Sequence, residues 1–154
     1  MTQLATHRGA RVTAVCSEIN ADWVRGQGAM DVRPYETAAR LSAGDRFDLI
    51  VDAPAKSSFA EAAPHLARGG MYVSTNPIAD LGGFLRAAVS SRRAGYLMML
   101  TTTPAKLRRL SALWAEGAIR PVIDSVHALS DAGAAFDRFA TRGKQGRVLL
   151  RISD

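Results

Sequence analysis

Cysteine is nearly missing from this 154-residue sequence, with Cys16 the only one. A lone thiol excludes an intramolecular disulfide and any multi-cysteine zinc site, and it fits a reducing compartment, so the cytoplasm is the expectation. Long apolar runs are missing too: nothing approaches the roughly 18 uninterrupted apolar residues of a membrane span. The N-terminus has no charged-then-apolar signal pattern. A soluble, unexported protein without a membrane partner is expected. Acidic residues are the minority, 14 against 20 Lys and Arg, for a net charge of +6. Such an excess raises the question of nucleic acid. The basic residues are scattered, however, as Arg8, Arg11, Arg25, Arg33, Arg40, Arg46, Arg68 and Arg86, and only Arg92-Arg93 and Arg108-Arg109 are adjacent. That spacing describes a solvated basic surface, and no nucleic-acid partner is expected.

What is present is an ordinary globular composition, 47 % hydrophobic and 22 % charged, which excludes a disordered or fibrous chain. Short apolar runs alternate with amphipathic stretches, the pattern of an α/β domain with parallel strands. Gln3 to Arg8 reads as the last turns of a helix that stops at Gly9. Arg11 to Cys16 is a strand, and Asn20 or Asp22 can cap a short helix ended by Gly26 and Gly28. Asp31 to Arg33 is a brief strand closed by Pro34, and Thr37 to Leu41 adds a helical turn. Phe47 to Asp52 is a nearly continuous apolar run of the kind buried on both faces.

Ser57 is expected to cap a helix from Ser58 to Ala67 with Phe59, Ala62, Ala63 and Leu66 on its inner stripe, terminated by Arg68-Gly69-Gly70. Met71 to Ser74 is then a strand, stopped by Asn76-Pro77. Asp80 to Ser91 reads as helix and Gly95 to Leu100 as strand. Thr103-Pro104 starts a helix with Leu107, Leu110, Leu113 and Trp114 at helical spacing, ending at Gly117. Val122 to His127 is a strand, Ser130 caps a helix through Phe136 and Phe139, and Gly146 to Ile152 is the final strand.

Four phrases in this order resemble the C-terminal half of the medium-chain dehydrogenases/reductases, the superfamily of zinc-type alcohol dehydrogenases and zinc-free quinone oxidoreductases. Gly9 to Ser17, followed by Val24 to Ala29, is similar to the family's second Rossmann strand and the helix ending in its "LGA" turn. Val32 to Tyr35 resembles its "VIDY". Phe47 to Asp52 through Leu66 to Val73 matches the strand, helix and strand around its "L-x-x-G-G" turn. Trp114 to Asp124 resembles its "EAGKIRPVID", and Gly146 to Leu150 its "GKVVL". The resemblance covers nearly the whole chain.

It implies an α/β, Rossmann-type parallel sheet with flanking helices, lacking the first strand and its Gly-rich turn. Residues 1–120 form a partial NAD(P)-binding domain, and residues 121–154 a strand-helix-strand that in relatives packs back on a catalytic domain. The usual strand order 3-2-1-4-5-6 places the first strand centrally, so strands two and four are expected as neighbours of a gap. With one cysteine and three histidines, the zinc-free quinone-reductase-like branch is favoured, and no zinc is expected.

In such folds a carboxylate ending the second strand binds the ribose 2′-hydroxyl of NAD, whereas small polar or basic groups accept the 2′-phosphate of NADP. Here that end is Cys16-Ser17. The resemblance implies that Ser17 and Asn20 contact the 2′-phosphate, with Arg25 as a distant counter-charge and Tyr35 along the adenosine. Glu18, one residue late, keeps NADH open as the lesser cofactor, and Ser17 and Asn20 read equally as loop and cap residues. Asp52 follows a strand's C-terminal end, where open α/β sheets bind ligands, but a strand-end cap describes it as well. The loop Ser74-Thr75-Asn76-Pro77 occupies the place that faces the nicotinamide ring in relatives, which would let Asn76 hydrogen-bond the carboxamide, and Asn76 reads equally as a turn former before Pro77. Lys144 and Arg147 lie in a segment that leans toward the nicotinamide half in relatives.

No catalytic residue is expected. Hydride transfer depends on positioning, and no G-x-S-x-G elbow supports a serine nucleophile with His65 or His127. The function implied is NADPH-dependent reduction of a quinone or enone-like small-molecule substrate, with this chain a cofactor-binding half that is inactive alone. A non-catalytic truncated fragment is the alternative, and an S-adenosylmethionine-dependent methyltransferase a lesser one. Edge pairing through Gly95 to Leu100 would make a homodimer.

Overall fold

The computed structural model describes residues 1–35, 41–75, 81–96 and 102–152. In chain order the elements are α1 (Thr2–His7), β1 (Thr13–Cys16), α2 (Ala21–Gly26), β2 (Asp31–Pro34), β3 (Phe47–Asp52), α3 (Phe59–Ala62) and β4 (Leu66–Ser74). There follow α4 (Leu81–Ala88), β5 (Arg93–Tyr96), α5 (Pro104–Ala115), β6 (Ile123–Ala128), α6 (Ala132–Ala140) and β7 (Arg147–Arg151). The chain divides into two compact units, Met1–Arg40 with Pro104–Asp154, and Leu41–Thr103.

In the first unit β1 runs parallel to β2, from Thr13 opposite Asp31 to Cys16 opposite Pro34. Ala21, Ala29 and Val32 are buried beneath this pair, with Val12, Ala14, Cys16 and Val24 packed around them. The small side chains let α2 lie close on its strands. Gly28, at φ +97°, closes the turn after α2, and a Cβ there would lie 2.9 Å from the Thr6 hydroxyl, so glycine admits α1 to the turn. Thr6 Oγ1 in turn donates to the Gly28 carbonyl at 2.8 Å. The same unit holds β6 parallel to β7, with α6 against both strands.

In the second unit β3, β4 and β5 form a parallel sheet in that order. The two sets of neighbours reproduce the 3-2 and 4-5-6 relations of the expected order. Among the described residues neither β1 nor β3 has a second strand beside it. Leu66, Tyr72, Phe59 and Ala62 make the core here. Phe59 and Tyr72 meet as a tilted aromatic pair with centroids 6.4 Å apart.

Several expectations are corrected. Ser58 rather than Ser57 caps α3, in a capping box with Glu61, because Glu61 stands three residues after Ser58. The helix does not reach Ala67: Pro64 removes an amide donor, residues 63–65 tighten to a 3₁₀ turn, and Leu66 already pairs with Phe47. Between Leu66 and Met71 the register jumps, and Gly69 at φ +76° carries the excursion. β3 is not buried on both faces; as the outer strand it leaves Leu49 55 % exposed. Ser130 does not cap α6, since it sits inside a 3₁₀ turn and Asp131 takes the cap position. On α5 only Leu113 is buried. The helical turn at residues 37–41 and the strand beyond Tyr96 lie largely outside the described residues.

Candidate functional site

Open parallel sheets present ligands at the C-terminal ends of their strands, where backbone and side chains leave the sheet together. β1 and β2 end side by side. Beyond the pairing of Cys16 with Pro34, the Tyr35 amide donates to the Cys16 carbonyl at 2.9 Å. That bond brings Ser17 and Tyr35 to the same edge, with Ser17 extended at φ −70°, ψ 150° and the Tyr35 side chain exposed. Residues 18–20 then make one 3₁₀ turn into α2.

Asn20 occupies the cap position of α2, yet its side chain makes no bond to the helix. Its backbone, at φ −101°, ψ 1°, departs from the extended conformation that aims a cap side chain at the first turn. The Asn20 Oδ1 instead accepts from Gln145 Nε2 at 3.4 Å. Arg25 is committed elsewhere, donating to Asp22 at 2.6 Å across one helical turn. The structure thus assembles Ser17, Asn20 and Tyr35 at one strand edge and directs Arg25 to a surface ion pair.

Gln145 lies in the segment of Lys144 and Arg147, but the residue itself is not among the expected site residues. Asp124 at the start of β6 is nearly enclosed, and its carboxylate receives Arg138 Nε and Nη2, both at 2.6 Å, and the Gln145 amide at 2.8 Å. The Arg138 guanidinium first, then the Gln145 amide, lower the Asp124 pKa to about 2. The same contact raises that of Arg138. Gly143 and Gly146, at φ +79° and +126°, give the loop its turns. The glycine spacing marks a tight loop, but a contact across 125 residues of sequence leaves no local signal. Lys144 lies 5.4 Å from the centre of the Phe139 ring. Lys144 and Arg147 also border a shallow depression of about 640 Å³ with Trp23, Pro121 and Leu149.

Asp52, in the other unit, is buried and spoken for. Its Oδ2 accepts from the Ser57 amide at 2.7 Å and its Oδ1 from the Lys56 amide at 3.2 Å. The Tyr72 hydroxyl sits 3.0 Å from Oδ2 and 2.9 Å from the Ser57 carbonyl. These contacts match the strand-end cap. Asn76 lies outside the described residues. Among the described residues His65 Nδ1 is buried without a hydrogen-bond partner. His127 Nε2 lies 3.0 Å from Ser125 Oγ, and its Nδ1 is 3.9 Å from Asp131, too far for a hydrogen bond. Among the described residues no helix is long and apolar enough to cross a membrane.

A family described as zinc-binding dehydrogenase matches residues 27–150 by its sequence profile. The chain is 28 % identical to the trans-enoyl reductase pgmF of Aspergillus terreus, over 99 % of this chain and 48 % of that protein. It is 27 % identical to a chloroplast envelope quinone oxidoreductase homolog of Arabidopsis thaliana, over 96 % and 47 %. The chain therefore spans about half the length of the curated relatives it matches. In structure it resembles the quinone oxidoreductase of Coxiella burnetii, with a TM-score of 0.82 at 24 % identity, over 99 % of this chain and 48 % of that one. The Bacillus subtilis protein yhfP, solved with NAD bound, shares the fold with a TM-score of 0.65 at 17 % identity, over 98 % and 50 %.

Proposed function

The chain belongs to the zinc-binding dehydrogenase family, and on that premise we propose that it is the cofactor-binding half of an NADPH-dependent oxidoreductase acting on a quinone or an enone-like double bond. The observation that carries the cofactor choice is the end of β1: the residue there is Ser17, with the Asn20 amide and Tyr35 at the same edge. A carboxylate at that position accepts from a ribose hydroxyl and repels a phosphate. A hydroxyl and an amide are donors that a phosphate accepts. In this reading Ser17 and Asn20 hold the 2′-phosphate, and the exposed Tyr35 ring lies along the adenosine. Asp52 shapes the loop after β3 by ordering residues 56 and 57.

When bound, a reduced nicotinamide supplies a hydride to the acceptor carbon, and solvent supplies the proton. The names of the relatives, trans-enoyl reductase and quinone oxidoreductase, support this substrate class. Among the described residues no group of three His, Cys, Asp or Glu side chains is placed to hold a metal, so zinc finds no ligand set there. Fluorescence titration with NADPH and NADH tests the proposal. Micromolar binding of NADPH, weaker binding of NADH, and a reversal of that preference in Ser17→Asp are expected. No binding of either cofactor up to millimolar concentration would overturn it.

A further inference from the structure

Asparagine is among the best helix caps because its side-chain oxygen can accept from the first exposed amides of the helix. Asn20 stands at that position and does not do so. Its oxygen is turned toward the loop of residues 141–146, where Gln145 Nε2 donates to it. With Gln145 hydrogen-bonded to it, the Asn20 carboxamide is held off the helix and toward the loop. A free asparagine could fold back onto the first turn of the helix. Gln145 disfavours that.

Gln145 is itself held in place. Its amide donates to Asp124, whose carboxylate is clamped by the two-pronged Arg138. Arg138 Nη1 also reaches Thr141 Oγ1 at 3.3 Å, and that hydroxyl donates to the Arg138 carbonyl at 2.7 Å. The Arg147 amide closes the loop's far end on the Val122 carbonyl at 2.9 Å. Ile19 stands near the same loop, since a Cβ added at Gly143 would come 3.7 Å from Ile19 Cδ1. A loop near one end of the chain, braced at Asp124 and Val122, therefore meets the 17–20 turn near the other through Gln145.

We propose that Gln145 is a positioning residue that holds the Asn20 carboxamide off the end of α2, so that the 17–20 turn selects a phosphate-bearing cofactor. The inference rests on the NADPH reading above. It assigns to Gln145 no contact with the cofactor. Selectivity is then a property of a pair, Asn20 and Gln145, and not of Asn20 alone.

The test compares NADPH and NADH dissociation constants for the wild-type chain, Gln145→Met, Asn20→Ala and the double variant. Methionine keeps the length of the side chain and removes its donors. Loss of one neutral hydrogen bond corresponds to about a two- to tenfold effect. Gln145→Met is expected to weaken NADPH by about that factor and leave NADH unchanged, and to have no further effect once Asn20 is alanine. Unchanged NADPH affinity, equal weakening of both cofactors, or an effect that persists in the Asn20→Ala background would each overturn the proposal. Should the wild-type chain fail to prefer NADPH, the cofactor reading fails by itself. The Asn20–Gln145 link is then judged by urea unfolding of the same four proteins. Non-additive midpoints support the link, and additive ones overturn it.

Discussion

Arg138 grips Asp124 in a parallel fork, Nε on Oδ2 and Nη2 on Oδ1, each at 2.6 Å. Two planar groups meeting edge to edge fix distance and orientation together, which a single point charge does not. The fork ties α6 to β6, and through the Gln145 amide it also sets the start of the loop before β7.

Acid should loosen this corner. The Asp124 pKa is about 2 in the folded chain against an ordinary value of 3.8. Because the folded value is the lower one, the stabilisation is fully present above pH 4 and is lost as pH falls from about 4 to about 2. Urea midpoints measured between pH 6 and pH 2 should drop across that window. In Asp124→Asn, which cannot titrate, the drop should be smaller, and the variant should already be less stable at pH 6.

Cofactor preference should follow residue 17. Ser17→Asp places a carboxylate at the end of β1 and should weaken NADPH at least about tenfold while strengthening NADH, since a like charge beside the 2′-phosphate repels it and a ribose diol donates to it. Paired titrations with the two cofactors read this directly.

Gly146 should not tolerate a side chain. A Cβ there would lie 2.4 Å from the Val122 carbonyl oxygen, and the φ of +126° is one that side-chain-bearing residues rarely adopt. Gly146→Ala is expected to cost about 2–3 kcal/mol in chemical unfolding, the combined result of strain and a displaced β7.

In the other unit, Tyr72 joins ring burial to a polar task. Its ring is fully buried and its hydroxyl serves both Asp52 and the Ser57 carbonyl. Tyr72→Phe keeps the packing and leaves those acceptors short of a donor, for a loss of about 1–2 kcal/mol. Leu66→Ala should cost about 2–5 kcal/mol, because no part of Leu66 is exposed.

Much of the fold was legible in the sequence because it is written in local terms. The β3 strand begins at Phe47 and ends at Asp52 as its apolar run and polar termination indicate. Glycines 9, 28 and 117 stand at positive φ after the helices they were read to end. Boundaries failed where a neighbouring strand competed with helix propensity. Phe59, Ala62 and Leu66 are buried as their spacing implied, but Leu66 is a strand residue, drawn into pairing with Phe47 after Pro64 breaks the turn. At the site, Ser17 and Tyr35 could be placed together from the strands that carry them. Asn20 read as a cap because composition favours it there, and only the loop around Gln145 shows where its side chain turns. Arg25 and Asp22 are three residues apart on a helix, so their pairing was local and legible in principle.

The most direct test of the account maps cofactor contact on the chain itself. Backbone amide shifts of the isotope-labelled protein, recorded by NMR during titration with NADPH, should move most at residues 17–20 and at Tyr35, with a smaller response at Gln145 and little at the 63–65 turn. Shifts absent at 17–20 and 35, or confined to the depression beside Trp23 and Leu149, would contradict the claim that the end of β1 receives the cofactor.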